Sequence, residues 1–244
     1  MDPPRAREER PLTARRAIPA GEALAAAVEA ALAAADIPRS KLGATRTARL
    51  SAGERTLYRW ILRRFADRGR PSRTDLGAAA APLGVDASSA LAALAREDLV
   101  HVGQDDEIAV AYPFSGRPTG HRVRFQSGHE AYAMCAIDAL GTASMFEQPV
   151  AIASTDPVGG ESIHVEVEPD DRARWSPESA VVVAAAFGSG ADACGSCCPA
   201  VNFFASPANA SRWLAAHDVR GQVISMPEAV RAGRAVFGDA LKDA

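Results

Sequence analysis

No segment of this chain approaches the run of about 20 apolar residues that crosses a bilayer. Its opening, Met1-Asp-Pro-Pro-Arg-Ala-Arg-Glu-Glu-Arg10, lacks the apolar core of a secretory signal. These absences lead to the expectation of a cytoplasmic protein that works without a membrane and keeps its thiols reduced. Cysteine is scarce, four in 244 residues, and two of the four, Cys197 and Cys198, are adjacent. Adjacent cysteines are poorly placed for a disulfide framework, so free or metal-engaged thiols are expected. Neither a second Cys-x-x-Cys nor a histidine pair accompanies Cys194-Gly-Ser-Cys197, which leaves a structural zinc site short of ligands. The five histidines, His101, His121, His129, His164 and His217, stand singly and suit the surface or routine hydrogen bonds. The strand–helix setting of a thioredoxin-like redox pair is also missing. No internal repeat of roughly 20–50 residues marks a solenoid or propeller.

What is present is ordinary for a globular protein. Hydrophobic residues make up 48% and charged residues 23%, and the length allows one large or two small domains with a real core. Charge is unevenly spread. Residues 1–100 hold 17 basic and 12 acidic side chains (+5), and residues 101–244 hold 10 and 18 (−8), giving the overall −3. The basic front raises nucleic acid as a partner. The acidic rear, which holds all four thiols, does not favour anionic substrates and would tolerate a cation.

The pattern along the chain predicts an α+β protein, with an N-terminal winged-helix-like helical domain ahead of a mixed α/β catalytic domain. Residues 1–48 read as an extension, disordered over 1–20 where Arg, Pro and Glu dominate, with an alanine-rich helix over Gly21–Asp36. Residues 49–115 read as the winged-helix-like unit. Ser51-Ala-Gly-Glu54 is a capping-box pattern for a first helix closed by Gly69. Ser72 caps a second helix to Ala81, and Asp86 a third to Arg96. Leu99–Val102 and Glu107–Tyr112 form the wing. Residues 116–244 form the catalytic unit. Its predicted strands are His121–Phe125, Val150–Ser154, Ser162–Glu168, Ala180–Ala186 and Gln222–Ser225, and its predicted helices Glu130–Phe146, Pro207–His217 and Pro227–Phe237.

The chemistry concentrates on Cys135, three residues before Asp138 in Tyr132-Ala-Met-Cys-Ala-Ile-Asp138. If that segment is helical, the two side chains share a face about one turn apart. Met134, Ala136, Ile137, Ala139 and Leu140 surround them with apolar residues, so the helix should be buried. A buried cysteine is often only a small apolar residue, but a carboxylate in the same setting is costly unless it is paired or functional. Desolvation would raise its pKa, as a proton donor at neutral pH requires. Thiolates select soft metals.

The run Tyr112-Pro-Phe-Ser115, His121-Arg-Val-Arg-Phe125, Tyr132-Ala-Met-Cys-Ala-Ile-Asp-Ala-Leu140 and Cys197-Cys-Pro-Ala-Val-Asn-Phe-Phe-Ala-Ser206 resembles the alkylmercury (organomercurial) lyases. The likeness covers roughly the last two thirds of the chain. The family uses two cysteine thiolates and an aspartate to cleave a carbon–mercury bond by protonolysis. The resemblance therefore implies Cys135 as first thiol and Asp138 as acid–base group. Anchored without gaps on Phe203-Phe-Ala-Ser206, the second thiol is Cys198; matching a cysteine pair instead shifts it by one residue and promotes Cys197. Two positions depart from the family pattern. Ala153-Ser-Thr-Asp156 lacks a further non-catalytic cysteine, and Asn202 stands in place of a histidine.

On this reading Asp138 takes a thiol proton and returns it to carbon. Mercury(II) stays between Cys135 and Cys198, with Asp138 alongside, until a small thiol or a mercuric reductase extracts it. No organic cofactor is implied. An alternative from another class is a metal-responsive winged-helix DNA-binding regulator, and a third is a lyase-like protein acting on another thiophilic metal or substrate. DNA is not expected as a partner. The third helix of the front unit, Asp86–Arg96, has only Arg96 as a cation and is followed by Glu97 and Asp98, whereas a DNA reader loads that helix with Arg, Lys, Asn or Gln.

Overall fold

The computed structural model describes residues 12, 22–103, 107–187, 193 and 195–242. Its helices begin where the sequence supplies caps. Helix α1 (Glu22–Ala34) buries Val28, Ala31 and Leu32. Two short 3₁₀ segments, Arg39–Lys41 and Gly43–Thr47, lead to α2 (Ala52–Arg68). There the Ser51 hydroxyl accepts from the Glu54 N–H at 3.2 Å while the Glu54 carboxylate accepts from the Ser51 N–H at 2.7 Å. This reciprocal pair satisfies two amides that the first helical turn leaves open. Ser72 and Asp75 repeat the device for α3 (Arg73–Ala80), and Asp86 caps α4 (Ala87–Arg96).

Strands β1 (Val100–Val102) and β2 (Ile108–Ala111) form the expected antiparallel hairpin; its turn at 104–106 lies outside the described residues. The hairpin continues into a larger sheet. β3 (Phe114–Ser115), β4 (His121–Arg124), β5 (Glu130–Ala133), β6 (Val150–Thr155), β7 (Ser162–Val167) and β8 (Ala173–Ser176) complete eight antiparallel strands in the order β1-β2-β3-β5-β4-β6-β7-β8. A second sheet places β9 (Val181–Ala186) between β10 (Asn202–Phe204) and β11 (Arg220–Ser225). Helices α5 (Ala136–Phe146), α6 (Pro207–Ala216) and α7 (Met226–Phe237) pack with these sheets. The mixed α and β content agrees with the sequence expectation. No single described helix is long and apolar enough to cross a membrane.

One expectation needs correction. The helix predicted over Glu130–Phe146 starts only at Ala136. Its first four residues, Glu130-Ala-Tyr-Ala133, are strand β5, paired to β4 and β3. Their burial alternates half-buried and buried, the two-residue period of a strand, and open partners on both edges decide the matter where alanine is indifferent. Strands β3, β8 and β10 were not foreseen; each has four residues or fewer, too few for alternation to register. The expected disorder over residues 1–20 lies outside the described residues, Leu12 excepted.

Helix α5 runs against α7, and two glycines set how closely they meet. A Cβ on Gly233 would lie 2.6 Å from the Gly141 backbone N, and one on Gly141 would lie 2.7 Å from the Gly233 carbonyl O. The clash is with backbone, which cannot swing aside. Gly233→Ala should therefore force the helices apart and destabilise the protein by about 1–3 kcal/mol, the usual cost of overpacking. Urea denaturation would check this, and an unchanged midpoint would show that the contact yields easily.

Candidate active site

Cys135 is separated from β5 by Met134 alone and is the cap of α5. Its backbone is extended (φ −152°, ψ 179°), and its sulfur accepts from the Asp138 N–H at 3.4 Å. The two side chains meet because the third helical residue folds back on its cap, and not because they share a helix face. Proximity was expected; its geometric origin was different.

The second cysteine comes from a turn tied to the same helix end. The Ala136 N–H donates to the Val201 carbonyl at 3.1 Å, and the Val201 N–H to the Cys197 carbonyl at 3.0 Å. Beyond this turn, β10 pairs with β9, with Phe203 and Phe204 fully buried. The aromatic pair thus anchors the cysteine turn from its far side. As a result the Cys198 thiol donates to the Asp138 Oδ2 at 3.7 Å. The Cys135 Sγ, an Asp138 carboxylate oxygen and the Cys198 Sγ all lie within 4.8 Å of one another. All three residues are buried, and both cysteines are unpaired.

Cys197 lies beside this triangle. It lines the same cavity and interacts with the Cys198 thiol, but its own thiol donates to the Ala193 carbonyl at 3.6 Å. Cys194 is outside the described residues. The Asn202 Oδ1 accepts from the ring of buried His121, 3.2 Å from Nε2. Burial pushes His121 down to about 4, so at neutral pH the ring is neutral and Nε2–H donates to Asn202. That ring is in an ordinary hydrogen-bonding role, as expected for the isolated histidines.

The cavity holds about 200 Å³ and is walled on one side by Asp36, Ile37, Pro38, Lys41 and Arg46. Sequence reading did not single out this wall, which comes from the segment before the first capping box. Asp98 fastens it: Oδ2 lies 3.3 Å from the Lys41 Nζ and 3.5 Å from the Ala193 N–H, while Oδ1 is 2.8 Å from the His101 ring. The positive φ of Asp98, 53°, in a region uncommon for any residue but glycine, was the one local oddity at this position; no motif in the sequence signals it.

Burial dominates the electrostatics. It pushes the Cys135 thiol up to about 12, against the lowering influence of the Cys198 hydrogen bond, and Asp138 and Cys197 raise it further. Cys198 also lies well above the ordinary thiol value, chiefly through its hydrogen bonds to Cys135 and Cys197 and then through burial. Burial lifts Asp138 from 3.8 to about 6, although hydrogen bonds from both thiols and the nearby Arg46 charge oppose the rise. At pH 7 the resting site therefore holds two protonated thiols beside one ionised carboxylate.

Two soft sulfurs and one carboxylate converging in a largely apolar cavity make a donor set for a thiophilic metal and its organic derivatives. Residues 114–238 match the family model described as alkylmercury lyase, and this chain belongs to the alkylmercury lyase family. Among curated relatives, it is 34% identical over 125 residues to an alkylmercury lyase of Staphylococcus epidermidis, covering 51% of this chain and 57% of that protein. It is 34% identical over 117 residues to one of Bacillus cereus (48% and 53%), and 30% over 117 residues to one of Streptomyces lividans (48% and 54%). The matched stretch thus spans just over half the length of these relatives. The fold is shared with the mercury-bound form of MerB2, with a TM-score of 0.66 at 22% identity over 90% of this chain and 98% of that one.

The raised Asp138 has a consequence for stability. An aspartate with a folded pKa above its unfolded value favours the fold fully below about pH 4, and that contribution is lost as pH rises to about 6. Asp138→Asn removes the buried charge, so it should match the wild type near pH 4 and exceed it by about 2–3 kcal/mol at pH 7. Urea denaturation of the mercury-free proteins at both pH values tests this; a less stable variant at pH 7 would mean the carboxylate is better paired than its burial implies.

Proposed function

We propose that this chain is an organomercurial lyase, cleaving the carbon–mercury bond to hydrocarbon and mercury(II) with Cys135, Cys198 and Asp138 as its catalytic groups. The observation that supports it most is the triangle of two buried thiols and a buried carboxylate within 4.8 Å, in a chain of the alkylmercury lyase family.

The proton inventory orders the steps. The Cys135 thiol replaces the thiolate that delivers the organomercurial; its proton leaves with that thiol, and a Cys135–mercury bond forms. Cys198 then attacks the same mercury and passes its proton along the existing hydrogen bond to Asp138, which is ionised and able to accept it. Two sulfurs push electron density toward the carbon, and Asp138 donates the proton there. The carbon–mercury bond breaks, hydrocarbon leaves, and mercury(II) remains on two thiolates with Asp138 again ionised. Small thiols complete turnover by exchange, and a mercuric reductase is a natural recipient in a cytoplasmic setting. Soft coordination by sulfur offsets the loss of the thiol protons, whose departure burial alone would oppose.

We read residues 49–115 as a winged-helix-like module with a packing role. Helix α4 buries Ala90, Leu91, Ala93 and Leu94 and has Arg96 as its one cation, which does not favour a DNA-reading regulator. The Tyr58 hydroxyl on α2 donates to the Tyr112 carbonyl at 2.8 Å, fastening α2 to the end of the hairpin within the module.

Anaerobic incubation with phenylmercury and excess small thiol should release benzene, measured by gas chromatography. Cys135→Ser should abolish release, because an alcohol binds soft mercury poorly. Asp138→Asn should keep mercury(II) binding while release falls by about 100-fold or more, the scale of a lost general acid–base. Tight mercury binding by the wild type with no hydrocarbon above background would sink the enzyme reading.

The pH profile supplies a separate check. Asp138 must start ionised to accept a proton, so kcat/KM should fall as pH drops through about 6. A rate that climbs on acidification through this range would place the accepting group elsewhere.

A further inference from the structure

The cavity contains a cation that the lyase chemistry does not use. Arg46 lines it together with the three reactive groups and is only 8% exposed. Its guanidinium lies over the rings of Phe237 and Tyr112, 5.1 and 5.8 Å from their centroids. Nη1 donates to the Lys41 carbonyl at 3.0 Å, and the buried Nε has no hydrogen-bond partner. The other acids of the cavity are engaged or distant. Asp98 is held by Lys41, His101 and the Ala193 N–H, Asp138 receives the Cys198 thiol, and Asp36 is exposed. Among the described residues no carboxylate forms a salt bridge with Arg46.

A guanidinium cannot shed its proton near neutral pH. Buried with no direct salt bridge, and with only the more remote charge of Asp138 to offset it, it costs stability that an apolar side chain between the same two rings would not. Its planar fork is suited to a carboxylate. The cavity already fixes one end of any substrate, since mercury must sit at the sulfurs. A volume of about 200 Å³ leaves room for one ring-sized group in the cavity that Arg46 shares with the sulfurs.

We propose that Arg46 recognises a carboxylate on the incoming mercury compound, either on its organic group or on the small thiol that delivers it. The proposal rests on the lyase reading for its substrate class. It assigns the site a preference for carboxylated mercurials or carboxylated carriers over uncharged ones, although the half of the chain that holds the thiols is acidic overall.

Two substrate comparisons separate the sources. In the first, KM for 4-carboxyphenylmercury is set against that for phenylmercury, both with 2-mercaptoethanol. In the second, phenylmercury is presented with 3-mercaptopropionate or with 2-mercaptoethanol. In the wild type a carboxylate should lower KM by about 10-fold in at least one comparison, the scale of one charge-assisted hydrogen bond. Arg46→Met should erase that ratio and Arg46→Lys should retain part of it. A merely structural arginine would shift both members of each comparison equally and leave the ratio intact. Equal KM values in both wild-type comparisons, or an unchanged ratio in Arg46→Met, overturn the proposal, and the wild-type result decides even if the variants fold poorly. Absence of hydrocarbon from every substrate counts against the lyase reading alone. The same carboxylate ratio is then read from competition between protein and small thiol for the arylmercurial.

Discussion

Helix α5 begins on a sulfur. Ser, Thr, Asp and Asn are the residues that normally accept from the first free amides of a helix, and this chain uses oxygen caps at α2, α3, α4, α6 and α7. At α5 the cap is Cys135, and the amide it accepts from is that of Asp138. Thioether and thiol sulfurs are weak acceptors, so this helix start is held by other means. The Ala136 N–H to Val201 carbonyl bond ties it to the cysteine turn, and the glycine contact with α7 seats the rest of the helix. Reactivity follows from the same arrangement. A sulfur at a helix N-terminus faces the positive end of the helix dipole, so replacing its proton by a metal leaves negative charge where the backbone tolerates it best.

Burial opposes that dipole and prevails: Cys135 stands at about 12 and Asp138 at about 6. The opposition is useful. A low thiol pKa would leave a reactive thiolate exposed to oxidation, and in the proposed reaction an ordinary carboxylate near 4 would be a poorer base for the thiol proton. Lifting both groups by the same desolvation keeps the thiols protonated and the carboxylate able to cycle. Removal from water sets the values of Cys135 and Asp138, and hydrogen bonds among the thiols do most of the same for Cys198.

The sequence disclosed the parts that have local signatures. Capping boxes at Ser51 and Ser72, the cap at Asp86 and the hairpin on either side of 104–106 follow from short-range chemistry and stand where the residues predict. Cys135 and Asp138 were visible because they are three residues apart in an apolar setting. The approach of Cys198 was legible only through the likeness to a family, since 60 residues separate it from Asp138 and nothing local links them. Strand β5 was hidden because it ends in Ala133 and the helix begins at Ala136, and alanine on both sides of Met134-Cys135 has no preference strong enough to mark the break. The wall of the cavity was hidden for another reason. Arg46 and Lys41 sit in a stretch without periodicity, and their importance comes from where Asp98 and the two rings hold them.

Arg46 also changes how the charge distribution is understood. Summed along the chain, the rear portion is negative, and on that basis an anionic substrate looks disfavoured. Summed charge acts through water, where screening weakens it over about 10 Å. Inside the cavity the relevant charges are few and poorly screened. There, a guanidinium with no salt-bridge partner among the described residues acts at a distance on the ionised Asp138. The local balance is therefore set by one cation contributed from the basic front of the chain. The segment 36–46 gives the site a charge that the family-matched stretch, residues 114–238, does not itself contain. On the proposed reading, selectivity among mercurials is set by a different part of the sequence from the catalytic groups, yet the two are coupled, since the Arg46 charge also holds the Asp138 pKa down.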